Sequence, residues 1–337
     1  LRGSILIITL LIISVLVVTV TETMRRMQVE QASAAIYVST ARGRAVNRSA
    51  QALVAYLLAQ DRKDPEDTGK GTADHYGEPW ALFPDQDQVD LPPLPDGALN
   101  ATVVDEQGKF PINSLVTEDG AWSEPHRQTL VNLLGSPPFS LPREKLEMIM
   151  PRIKDWLDTD SNPSGVHGAE ADTYALEEGR ISCRNGPLLF AGELAFIQDM
   201  PGKIFKQTDD RPGLLDLISV HTRGAININT ARPEILAAMV NPDIPRETAR
   251  EFASTMAAYR RDPMHYDFLS EPDWYRNRMA GYNDVQLPAE LVAVSSDIYA
   301  LMLRADIGGI QTSRYIVLRR KISKGTITFD PVHKETE

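Results

Sequence analysis

Between Asp155 and Asp172 the chain gathers Asp155, Asp158, Asp160, Asn162, Glu170 and Asp172, broken by Pro163, Gly165 and Gly168. Carboxylates crowded into one Gly- and Pro-rich loop repel one another unless a cation or water separates them. Hard oxygen donors suit Ca²⁺ better than zinc or copper. Asp158, Asp160 and Asn162 stand at the first, third and fifth positions of an EF-hand loop. There the match fails, because Pro163 occupies the glycine position and Glu170 comes thirteenth rather than twelfth. The candidate ligands are Asp158, Asp160, Glu170 and Asp172, holding at least one structural Ca²⁺, with Asn162 or backbone carbonyls completing the shell. A solvated acidic loop is the alternative.

Other chemistry is thin. There is no Gly-x-Ser-x-Gly and no His-Glu-x-x-His, and the six histidines are scattered. Cys183 is the single cysteine, so no intrachain disulfide can form. Arg184 beside it could lower its pKa, although a lone thiol is more often structural. Gly69-Lys70-Gly71-Thr72 lacks the leading glycine and the preceding strand of a P-loop. No catalytic residue and no organic cofactor is expected, and the chain reads as a non-enzyme. A net charge of −11 argues against a nucleic-acid partner, which needs a basic face.

The elements that must position the loop begin with an apolar run from Ile5 to Val20. It passes without a break into an amphipathic pattern reaching about Gln60, with Gly43 the only breaker. Read as one helix over 4–60, it is roughly 85 Å long, too long for a small domain to cover. Residues 4–21 form the membrane-spanning part. Val46, Ala50, Leu53, Val54, Leu57 and Leu58 recur at helical spacing, which predicts packing on a sheet. Residues 61–109 hold a Pro/Gly-rich linker (Asp64-Pro65, Leu91-Pro92-Pro93), a short ordered piece at Trp80-Ala81-Leu82-Phe83, and a strand from Ala98 to Asp105.

Residues 110–286 read as an inserted helical domain with a weak internal repeat. Pro142-Arg143-Glu144 and Pro245-Arg246-Glu247 each start a helix, with proline expected at the first helical position. Asn229-Thr230-Ala231 should cap the helix through Ile235 and Leu236. Two helix-turn-helix units of helix-hairpin-helix or SAM-like shape follow. From 287 to 337 strands at Ile298–Leu303, Ser313–Arg320 and Thr326–Phe329 form a meander with turns at Gly308-Gly309 and Lys324-Gly325. The fold class is α+β: a pilin-like fold with a long N-terminal transmembrane helix, an antiparallel sheet and a large all-α insertion.

Arg2-Gly3 directly before Ser4-Ile5-Leu6 resembles the prepilin peptidase site of type IV pilins and pseudopilins. Ile8 stands where most pilins carry Glu. Together with Asp155-Trp156-Leu157-Asp158-Thr159-Asp160, Gly168-Ala169-Glu170-Ala171-Asp172-Thr173-Tyr174, Arg184-Asn185-Gly186-Pro187-Leu188, Gly192-Glu193-Leu194 and Ile226-Asn227-Ile228-Asn229-Thr230-Ala231, this resembles the K-type minor pseudopilins of type II secretion. The resemblance implies a structural subunit at the tip of a periplasmic pseudopilus, assembled with I- and J-type minor pseudopilins. It implies cleavage by prepilin peptidase after Gly3, leaving Ser4 as the N-terminus and 1–3 as residual leader. It also implies a single pass through the bacterial inner membrane, with the soluble region in the periplasm. Some members bind calcium. Some carry a disulfide in the insertion, which this chain cannot. Nothing recognisable as a full leader precedes Arg2, which reads as a truncated or misassigned start. The competing reading is a membrane-anchored helix-hairpin-helix protein of the DNA-uptake type. It needs Gly-rich turns and basic residues, and residues 225–239 offer only Arg232.

Overall fold

A computed structural model describes residues 2–60, 73–83, 94, 97–175, 182–209, 211–323 and 326–336. Helix α1 (Arg2–Gln60) is continuous, and Ser4–Gln60 contains a stretch long and apolar enough to cross a bilayer. Gly43 does not break it. A β-carbon there would lie 2.5 Å from Thr312 Oγ1, so glycine lets the helix approach a strand closely. Asn47 Nδ2, one turn on, donates to the Thr312 carbonyl at 3.1 Å.

The short α2 (Pro79–Leu82) buries Trp80, as the apolar cluster there predicts. Strand β1 (Gly97–Asp105) joins a four-stranded antiparallel sheet in the order β1-β6-β7-β8. Its other strands are β6 (Ile298–Ile307), β7 (Ile310–Ser323) and β8 (Thr326–Thr336). Gly308 and Gly309, with φ of 61° and 79°, close the β6–β7 hairpin in the left-handed region that favours glycine. The Lys324-Gly325 turn lies outside the described residues, as do the linker motifs at 64–65, 69–72 and 91–93. Ala50, Val54 and Leu58 of α1 pack with Leu301, Leu303, Ile316 and Leu318 under Trp80. The predicted stripe is therefore the face that meets the sheet.

Everything between β1 and β6 forms a second unit with its own core. In chain order it holds β2 (Phe110–Pro111), α3 (Glu124–Gly135), α4 (Arg143–Leu157), α5 (Ala171–Ala175) and α6 (Leu214–Leu217). Then come β3 (Ile218–Ser219), β4 (Ile226–Asn227), α7 (Pro233–Met239), α8 (Arg246–Tyr259), α9 (Trp274–Arg278) and β5 (Val292–Ala293). Parallel pairs β2–β3 and β4–β5 tie its start to its middle and its middle to its end.

Two capping expectations are corrected. Pro142 and Pro245 stand one residue earlier than expected, at the caps of α4 and α8. No side chain caps α7. Instead Thr230 Oγ1 donates to Asp105 Oδ2 at 2.6 Å, and Asn229 Nδ2 donates to the Leu269 carbonyl at 2.9 Å. Both residues are buried, where interior acceptors left unpaired would cost more than a helix amide open to water.

Candidate metal centre

Helix α4 builds one wall. Leu146, Ile149, Met150, Ile153, Trp156 and Leu157 form its buried face, and Asp155 and Asp158 fall within the same buried arc of the last turn. Asp155 is fully buried and folds the loop back over itself. Its carboxylate accepts from the Ser164 amide at 2.9 Å and the Ala169 amide at 2.7 Å. Gly168 makes this possible: a β-carbon there would stand 2.3 Å from Ser164 N and 2.5 Å from Asp155 Oδ2. The returning chain delivers Glu170 opposite Asp158. One ligand oxygen from each of Asp155, Asp158 and Glu170 lies within 4.8 Å of the others.

The structure thus brings together Asp158 and Glu170 of the expected set, with Asp155 as third member. Asp160 is exposed, and its carboxylate accepts from the Asn162 amide at 2.7 Å. Asp172 is exposed in the first turn of α5. Neither belongs to the three-carboxylate cluster, and the Asn162 side chain is exposed as well. The signal for Asp155 is a carboxylate in the apolar phase of an amphipathic helix, where it must have partners.

The electrostatics are those of carboxylates pressed together out of water. Burial pushes Glu170 up to about 7, and the charges of Asp155 and Asp158 push the same way; Asn185 beside it opposes them. Asp158 is raised by burial, against the pull of Lys154, whose Nζ lies 2.9 Å from Asp158 Oδ2. Neither Glu170 oxygen, nor Asp158 Oδ1, makes a hydrogen bond of normal geometry. Buried carboxylate oxygens without hydrogen-bond partners, in a cluster where Asp155, Asp158 and Glu170 each place one oxygen within 4.8 Å of the others, suit a hard cation. Asp158 and Glu170 would hold it, with Asp155 linking the helix to the loop.

Cys183 belongs to the floor of this site. Its Sγ lies 3.3 Å from the Asp155 carbonyl and 3.9 Å from that of Ala169. The idea that Arg184 activates it is corrected. Arg184 turns away to the Pro187 carbonyl at 2.6 Å and to Glu193 at 3.2 Å. Burial, with Glu170 and Asp155 nearby, pushes the thiol up to about 11. A thiol held neutral is a poor nucleophile.

Residues 108–209, which contain this site, match the family model for type II secretion system (T2SS) protein K. The chain is 27% identical over 245 residues to the type II secretion system protein K of Pseudomonas aeruginosa, covering 72% of this chain and 69% of the relative. It is 28% identical over 247 residues to the protein K of Aeromonas hydrophila, covering 71% and 70%. A chain in the crystal structure of the GspK-GspI-GspJ complex from enterotoxigenic Escherichia coli superposes with a TM-score of 0.60. That match covers 93% of this chain and 99% of the other at 19% identity, a likeness of fold. The pilin-like α+β architecture, the family model and the two relatives agree: this chain is similar to the type II secretion system protein K, and the likeness supports a minor pseudopilin role in type II secretion.

Proposed function

We propose that this subunit occupies the tip of the pseudopilus, anchored in the inner membrane by residues 4–21 before assembly, with its soluble region in the periplasm. The observation that carries the reading is the bulky helical unit spliced between β1 and β6 of a helix-on-sheet module. A subunit that repeats along a fibre must accept a copy above it, and such an insertion stands in the way. The sequence adds a second argument. An acidic fifth residue in a pilin pairs with a neighbour's terminal amine inside an apolar bundle, where an unpaired charge is costly. Here that position is Ile8. The fibre's end needs no such partner on one side.

The partners that fit are I- and J-type minor pseudopilins, as in the complex of the structural relative, with prepilin peptidase acting between Gly3 and Ser4. The carboxylate site holds Ca²⁺ in a structural role, fixing a loop with little apolar content of its own. The test is co-expression of the full chain with its I- and J-type companions, detergent extraction and affinity capture. A three-subunit complex in which this chain begins at Ser4 is expected. Capture of this chain alone would overturn the assembly reading, and an N-terminus beyond Val20 would overturn the anchor.

A further inference from the structure

The turns of the two helical hairpins, residues 136–142 between α3 and α4 and 240–245 between α7 and α8, open onto one groove of about 1000 Å³. Its floor is apolar, with Val131, Ala237 and Ile244 among the lining side chains. Its rim is basic: Arg143 begins α4, and Arg246 and Arg250 lie one turn apart on the same face of α8. Glu234 is the one acidic residue lining it among the described residues. In a chain of net charge −11 this reverses the local sign. The walls are fixed. Asn132 Nδ2 donates to the Ala238 carbonyl at 2.9 Å, tying α3 to α7, and Arg246 donates across to the Gly135 carbonyl at the end of α3. Arg250 has no hydrogen bond or ion pair among the described residues, and Arg143 has only the exposed Glu147.

Two occupants compete for a basic groove between helical hairpins: nucleic acid and acidic polypeptide. A phosphate backbone is gripped by successive backbone N–H groups in such turns. Here the turns carry Pro137, Pro138, Pro142, Pro242 and Pro245, which have no N–H to give. The apolar floor offers nothing to a sugar-phosphate chain, whereas guanidinium forks match carboxylates. We propose that the groove docks an extended acidic peptide of a partner protein. Aliphatic or prolyl side chains of that peptide lie on the floor, and flanking Asp or Glu carboxylates meet Arg143, Arg246 and Arg250. The proposal is independent of the carboxylate site and of the assembly reading.

The probe is a fluorescein-labelled peptide of Asp residues interleaved with Leu-Pro pairs, followed by anisotropy against the full chain in detergent at low salt. Saturable binding is expected, weakened about tenfold or more by Arg143→Glu with Arg250→Glu, two exposed changes that leave the core intact. Arg278→Glu, outside the groove, controls for net charge and leaves binding unchanged. A counterpart peptide with Lys for Asp should not bind. Absence of saturable binding would overturn the proposal. So would equal binding of the Lys peptide, an equal loss in Arg278→Glu, or displacement by a single-stranded oligonucleotide at matching concentration.

Discussion

Glu170 carries two carboxylate oxygens into the interior with no hydrogen bond of normal geometry to either. Each unserved polar atom costs roughly 1–3 kcal/mol, and the facing charges of Asp155 and Asp158 add to it. A bound Ca²⁺ would turn that cost into stabilisation, about 2.7 kcal/mol at a hundredfold excess over its dissociation constant. Glu170→Gln should therefore have opposite effects in two buffers. With chelator it should melt higher than the parent, because a repelling charge is gone. With millimolar calcium it should melt lower, because a ligand is gone. Asp160→Ala should keep most of the calcium gain, since Asp160 is exposed outside the cluster. An undiminished calcium shift in Glu170→Gln would remove this residue from the site. Asp105 supplies a separate pH signature. Burial pushes it up to about 6, with Asp74 adding to the rise, while hydrogen bonds from Ser296 and Thr230 oppose it. The unfolded chain releases that proton near 3.8, so between the two values the folded state holds more protons and stability falls as pH rises. The contribution is present below about 3.8 and gone above about 6. Thermal melts across this window should show the parent falling more steeply than Asp105→Asn, and parallel profiles would refute the assignment. Residue types and density single out Asp158 and Glu170 as candidate donors from sequence, and the structure sets their carboxylates close together. Which oxygens turn inward is not legible, because that depends on Gly168 letting the chain fold back onto Asp155.

A helix of 59 residues is held to its sheet along only its second half, so single contacts matter there. Gly43 gives a prediction whose sign separates two causes. Helix propensity alone says that Gly43→Ala stabilises by about 1 kcal/mol. The close approach to Thr312 says that it destabilises by about 1–3 kcal/mol, because a β-carbon would sit 2.5 Å from Oγ1. We expect a lower melting temperature for the detergent-solubilised chain, partly restored by Thr312→Ala in the same chain. A stabilised Gly43→Ala would leave propensity as the whole story. The elements were open to sequence reading to different depths. Alternation finds where β6, β7 and β8 begin or centre, but β7 runs to Ser323 and β8 to Thr336 because each hairpin partner continues to offer bonds. Local capping rules misread Asn229 and Thr230, whose side chains serve a buried network that only the tertiary fold creates.

That network joins the two units into one body. Asp74, just before α2, accepts two bonds from Arg320 Nη2 at 2.6 and 2.8 Å, one from Tyr299 Oη at 2.5 Å and one from the Ser296 amide at 2.7 Å. Asp105 at the end of β1 takes Asn227 Nδ2 at 3.0 Å and Ser296 Oγ at 2.6 Å. Asn227 and Thr230 belong to the insertion, while Asp105, Tyr299 and Arg320 belong to the sheet. Arg320 Nη1 also reaches the Leu58 carbonyl at 3.3 Å, serving a free carbonyl in the last turn of α1. One guanidinium thus ties α1, the sheet and the segment that enters α2. Arg320 and Asp74 are both completely buried, so removing one leaves the other as an uncompensated charge. Arg320→Met should cost about 3–5 kcal/mol and speed amide exchange both at the end of α1 and in β4. Asp74→Asn in the Arg320→Met background should recover part of that loss, because no orphan charge then remains. If the two losses simply add, the pair is not coupled and the insertion is held by apolar packing alone. If the double variant recovers stability but exchange in β4 stays fast, the charge pair sets the coupling between the units rather than the stability of either.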